Sequence, residues 1–195
     1  MREIALFVED DAHRKVIETL VYRIAGEYGV RVQLDWRNVI GGYGRVIAEL
    51  DDYLRDLKRQ GTPWPDLLVV ATDANCKGLN ERAREIGGRD DVAPVVLALP
   101  DPHIERWLLL DGAAFKAVLG RGCDAPDLKC DRNHYKERLI EAIIAAGIRP
   151  SLGGIEYAEE IMQQINIGRA ARLDSSFERF VTDLRRMFQG WQPRP

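Results

Sequence analysis

The chain has 195 residues, a formal net charge of −3, 46% hydrophobic and 30% charged residues, which is the make-up of an ordinary globular protein. No apolar run approaches the ~20 residues a membrane-spanning helix needs, and the first residues carry no signal-peptide pattern, so a cytoplasmic protein outside the membrane is expected. Three cysteines, an odd number in a chain this long, point away from a disulfide framework.

Taken in order, residues 3–8 (EIALFV) form a β-rich run. Asp10 or Asp11 can then cap a helix whose apolar positions Val16, Ile17, Leu20, Val21, Ile24, Ala25 and Tyr28 follow a 3.6-residue period up to Gly29. Residues 30–36 (VRVQLDW) alternate as a strand does. After Gly41, Gly42 and Gly44 a second amphipathic helix carries Val46, Ile47, Leu50, Tyr53, Leu54 and Leu57. Residues 66–72 (DLLVVAT) read as a central buried strand, 79–86 as a short helix and 94–99 (PVVLAL) as another buried strand. The alternation predicts an α/β fold with a parallel sheet covered on both faces.

Past residue 112 the strand signal stops. Helical patterns follow at 133–146, 155–166 and 175–188, so residues 1–112 are expected to form the α/β domain and 113–195 a helical extension packed on it. Six arginines stand against three acids from Arg169 onward, a mildly basic end beside an acidic body. That distribution suits phosphate attraction and suits a solvated helix face equally well.

In parallel sheets ligands gather beyond the carboxyl ends of the strands. Glu9, Asp73 and Asp101 are each the first acid after a strand, and "ATDANCKG" adds Asn75 and Lys77 to the second tip. Carboxylates gathered there repel one another unless a cation neutralises them, and oxygen ligands suit Mg²⁺. The competing reading makes Asp10, Asp11 and Asp73 helix caps. In "PDPHIERWLLLD" (100–111), His103 and Glu105 open a further helix in which Trp107 is expected in the core. Glu105 in a first turn also favours the helix dipole.

A glutamate at the first strand tip and an Asp-x-Asp-like tip on a later buried strand resemble the Toprim domain of topoisomerases, primases and related nucleases. "PDPHIERWLLLD" with "GGIEYAEEI" is similar to small stand-alone Toprim-like proteins of the DUF4276 kind. The resemblance covers roughly residues 1–112. It implies a three-layer Rossmann-like core and a nuclease dependent on Mg²⁺ or Mn²⁺. Glu9, Asp73 and Glu105 would be catalytic, and Glu9, Asp73, Asn75 and Asp101 would hold metal. Asn75 stands where the family has a second aspartate, which makes a two-metal site doubtful. Nucleic acid is the implied substrate, an ATPase an implied partner, and defence against phage an implied setting. His13, Lys77 and His103 are placed to touch substrate phosphate.

Other readings compete. The domain could be a nucleotide- or partner-binding regulatory subunit, which Asn75 favours. "FVEDD" and "PDLLVVATD" also resemble a response-regulator receiver, with Asp73 as phosphoacceptor, although no lysine follows the last strand. Cys123, Cys130 and His134, with Cys76, lack a zinc-knuckle spacing and read as ordinary cysteines of a helical lid. "GGYGR" (41–45) reads as a turn, with Arg45 its one residue of interest.

Overall fold

A computed structural model describes residues 1–39, 41–87, 93–131 and 133–192. Strands β1 (Arg2–Val8), β2 (Val32–Asn38), β3 (Leu67–Ala71) and β4 (Val95–Ala98) form one sheet in the order β2-β1-β3-β4, every pair parallel. Helices α1 (Asp11–Glu27), α2 (Tyr43–Gln60) and α3 (Leu79–Ile86) make the crossovers. The chain then continues as α4 (Ile104–Leu108), α5 (Gly112–Leu119), α6 (His134–Ala145), α7 (Ala158–Gln164), α8 (Ile167–Leu173) and α9 (Ser175–Trp191). Two short helices, α5 and α8, lie where the sequence pattern predicted none; at seven or eight residues each, they are too brief for a 3.6-residue period to stand out.

The sheet's two faces explain the three layers. Ala5, Phe7, Leu68 and Val70 face one way and pack with Val46, Leu50 and Leu54 of α2 and Ile86 of α3. Ile4, Leu6, Val8, Leu67, Val69 and Ala71 face the other way, against α1 and the helices that follow β4. Each strand is thus apolar on both sides, which is why it reads as a continuous oily run. Trp107 is fully buried in the second layer, edge-on to Phe177 at 5.0 Å and stacked near Phe180 at 5.8 Å between ring centroids. The helices beyond residue 112 therefore share the core of the sheet's α1 face.

Chain order reverses between β1 and β3, since β2 lies to one side of β1 and β3 to the other. Such a switch point leaves a crevice beyond the strand tips. Val8 pairs with Ala71, so the next residues, Glu9 and then Thr72 and Asp73, emerge side by side at that crevice.

One expectation is overturned. Cys76 and Cys130 form a disulfide, with Cα atoms 5.4 Å apart. Their separation of 54 residues leaves no local signature, and the odd count is resolved by Cys123, which stays a free thiol. Among the described residues no helix is long and apolar enough to cross a membrane.

Candidate functional site

Asp10 ends the turn after β1 and caps α1, its Oδ1 accepting the His13 backbone N–H at 2.9 Å. The same oxygen lies 2.8 Å from His13 Nδ1, and His13 Nε2 lies 3.1 Å from Asp73 Oδ1. Both partners of the imidazole are carboxylate oxygens, which only accept. His13 therefore carries both ring protons and a positive charge. It is 1% exposed, and burial alone would lower its pKa; the carboxylates of Asp73 and Asp10 outweigh burial and hold it well above the usual histidine value.

Asp73 is the hub. Its Oδ1 also accepts the Ile104 backbone N–H at 2.9 Å, at the start of α4, and its Oδ2 faces His103 Nδ1 at 3.0 Å. Burial pushes the Asp73 carboxyl up, but His13 and His103 prevail and keep it below its ordinary range. His103 points its other nitrogen away from Asp73. That Nε2 is buried and has no hydrogen-bond partner among the described residues. The hydrogen bond to Asp73 raises the His103 pKa, burial opposes it, and the negative charges of Asp73, Glu105 and Glu9 add to the rise.

Glu9 is fastened at one oxygen. Oε2 accepts from the buried Thr72 hydroxyl and from the Asp73 backbone N–H at 3.2 Å. Oε1 faces the α2 entrance, where a Cβ on Gly42 would lie 3.5 Å away. Gly42 has φ +80°, a conformation that favours glycine, and it opens α2 without a side-chain cap. The glycine cluster thus brings a helix N-terminus, with its partial positive charge, to the Glu9 carboxylate. Glu105, in the first turn of α4, completes the acidic group; burial and then the Asp73 charge raise its pKa.

Glu9, Asp73, His103 and Glu105 gather at the switch point, and His13 supports them from beneath. The phosphate contact expected of His13 is not available, because the ring is buried with both nitrogens engaged. Asn75 is exposed, its Nδ2 reaching back to the Asp73 carbonyl at 3.4 Å. Asp101 accepts the Leu79 N–H at 3.2 Å, so it serves the start of α3. Lys77 pairs with Glu85. Arg45 packs its stem against Gly41.

An aspartyl phosphoacceptor needs a free carboxylate oxygen. Asp73 offers little, since three donors claim three of its about four lone-pair positions, and this geometry weighs against the receiver reading. Cys76 and Cys130 are spent on each other, and burial raises the Cys123 thiol to about 11, so these cysteines offer no thiolate cluster for zinc.

Sequence reasoning missed three supports. The sequence offers Asp10 as a helix cap or as part of a receiver's acidic pair, and its capping oxygen also anchors His13. Thr72 was counted as strand and holds Glu9. Ser176, at the start of α9, accepts the Asp101 N–H at 3.1 Å and the Trp107 indole N–H at 3.0 Å while its hydroxyl donates to Asp174. It thereby ties the distant C-terminal helix to the exit of β4. An Asp-x-Ser cap motif at 174–176 was its only local signal.

No protein-family model, curated protein or solved structure matches this chain. The chemical reading rests on the residues themselves.

Whether a divalent cation fits can be judged from the donors. Asp73 is the poorer ligand, because three donors already share its two oxygens and leave about one lone pair, on Oδ2, for a cation. Glu9 Oε1 and the Glu105 carboxylate are by their chemistry the donors that suit a hard cation keeping much of its water, the habit of Mg²⁺ beside substrate phosphates. Burial and the Asp73 charge raise the Glu105 pKa more than His13 and His103 lower it, and a cation beside it would favour its ionised form. Among the described residues no group of three acidic, histidine or cysteine side chains is arranged to hold a metal by itself, so substrate and water would complete the shell.

Proposed function

We propose that the protein is a hydrolase of phosphodiester bonds in nucleic acid, with His103 as the group that moves the proton. The observation that carries this reading is the buried, unpartnered Nε2 of His103, oriented by Asp73 through Nδ1 and flanked by Glu9 and Glu105. A histidine fixed by a carboxylate at one nitrogen and open at the other is the arrangement general acid–base catalysis uses. Because its pKa is raised, His103 keeps its second proton at higher pH than a free imidazole and suits protonation of a leaving oxygen. Asp73 holds the tautomer, and His13, itself cationic, keeps Asp73 ionised. Glu9 and Glu105 would hold Mg²⁺ or Mn²⁺, which when bound neutralises charge developing on the phosphoryl oxygens. The Toprim resemblance agrees in its use of the first-strand glutamate and differs in spending Asp73 on histidines.

The occupied state of Asp73 favours one second reading, a regulatory subunit that binds nucleotide or a partner ATPase and cuts nothing. A single experiment separates the two. Short DNA and RNA oligonucleotides are incubated with Mg²⁺ or Mn²⁺ and wild type or His103→Gln. Hydrolysis by wild type is expected, lowered about 10²–10⁴-fold in the variant, with the alkaline fall in rate that follows His103 deprotonation gone. Equal cutting by both proteins refutes the role of His103, and no cutting by either, with nucleotide binding retained, supports the regulatory reading.

A further inference from the structure

The disulfide joins the turn that leaves β3 to the segment between α5 and α6. Cys76 lies on the turn that leaves the β3 tip, three residues after Asp73, with φ +64° following Asn75 at φ +49°. Non-glycine residues adopt that region seldom, and two in succession mark a turn held by its surroundings. Cys130 lies in residues 121–131, between α5 and α6, which have no regular secondary structure. Within 124–131 every side chain except Pro126 is exposed. Beyond the disulfide, this strap is held by the Tyr135 hydroxyl, which accepts the Lys129 N–H at 2.6 Å and donates to the Asp127 carbonyl at 3.0 Å. Tyr135 is fully buried, and its ring centroid is 6.5 Å from that of His103. Disulfide, strap, Tyr135 and His103 thus follow one another as neighbours from the β3 turn to the candidate site. His103 is only 8% exposed, so a substrate reaches Nε2 only if something above it moves.

We propose that Cys76–Cys130 is a redox-modification site that latches the 124–131 strap over the crevice, and that a small dithiol opens it. Both cysteines are exposed, as such a reductant requires. One thiolate of the dithiol attacks one cysteine sulfur and expels the other cysteine as a thiolate, and the second thiolate then attacks the reductant's own sulfur in the mixed disulfide and expels the first cysteine. The cysteines accept two electrons and two protons to become thiols, and the dithiol leaves as a cyclic disulfide. With the latch open, the strap loses its covalent tie and is left with the Tyr135 bonds, the buried Pro126 and the Asp131 contacts at the start of α6, and local opening exposes His103. The oxidised protein is the closed form and the reduced protein the competent one. Access to His103 is the direct claim, and the consequence for turnover rests on the hydrolase reading.

The test compares oxidised protein, dithiothreitol-reduced protein, Cys76→Ser and Cys130→Ser. Carbethoxylation of His103 by diethyl pyrocarbonate and deuterium uptake by 124–131 are both read by peptide mass spectrometry. Reduction is expected to speed both about tenfold or more, and both serine variants should match the reduced protein and ignore dithiol. Should the variants fail to fold, the oxidised and reduced wild type decide alone. Rates at His103 that agree within about twofold across the two states overturn the latch, as does finding three free thiols after incubation with glutathione disulfide. Oligonucleotide hydrolysis is followed in parallel. A latch that opens while neither state cuts supports the latch and removes the hydrolase reading; equal cutting in both states overturns the control.

Discussion

Replacing Asp73 by asparagine strikes the hub while keeping its shape. The wild-type carboxylate is 14% exposed and His13 is 1% exposed, so this pair is sheltered from the screening that makes surface ion pairs weak. Breaking a buried pair from one side costs about 3–5 kcal/mol. Asparagine can still accept the Ile104 N–H and one histidine proton, which puts the expected loss near the lower end, about 3 kcal/mol. For a chain of this size that lowers Tm by roughly 6–12 °C.

The pH profile carries a sharper signature. His13 has a raised folded pKa, so its contribution is complete below the ordinary histidine value of about 6.5 and disappears as pH rises through the folded value. Asp73 has a lowered folded pKa, so its contribution is present above the ordinary carboxylate value and is lost as pH falls through the folded one. Wild type should therefore show a stability plateau falling on both sides. Asp73→Asn should lose the acid limb that Asp73 provides, and its alkaline decline, which still begins near the ordinary histidine value, should be smaller and end at lower pH because His13 no longer faces a full charge. Urea unfolding from about pH 2 to 10 spans both features. A loss under about 1 kcal/mol with an unchanged profile would refute the buried His13–Asp73 pair.

Two further predictions concern neighbouring positions. Glu105→Gln should make the protein more stable at neutral pH, because a carboxyl with a raised folded pKa opposes folding once it ionises, and should weaken Mn²⁺ binding measured by calorimetry; lower stability together with unchanged binding would contradict its assignment. Gly154→Ala should destabilise by roughly 2–4 kcal/mol, since Gly154 has φ +97° and a Cβ there would meet Leu139 Cγ at 2.9 Å as well as Ile143 of α6. Denaturant unfolding within about 0.5 kcal/mol of wild type would show that α6 yields to the extra atom.

The strands, the two long crossover helices and the edge where the acids collect were legible in the sequence. Runs such as Leu67–Ala71 bury both faces, and a parallel sheet is the structure that requires this of a strand. The chain order of strands and helices then makes Glu9 and Asp73 neighbours at one edge, because parallel strands present their carboxyl ends together. What lay beyond the sequence was the assignment of partners. Asp73 could have met a metal, a helix N-terminus or a histidine, and nothing within a few residues distinguishes these. Closure onto His13, 60 residues away, and His103, 30 away, selected among them. Ser176 joined Trp107 and the β4 exit, and Cys76 joined Cys130, for the same reason. Periodicity reports which side of an element is buried, a property of adjacent residues; hydrogen bonds and disulfides depend on distances between elements, and those exist only once the layers have packed.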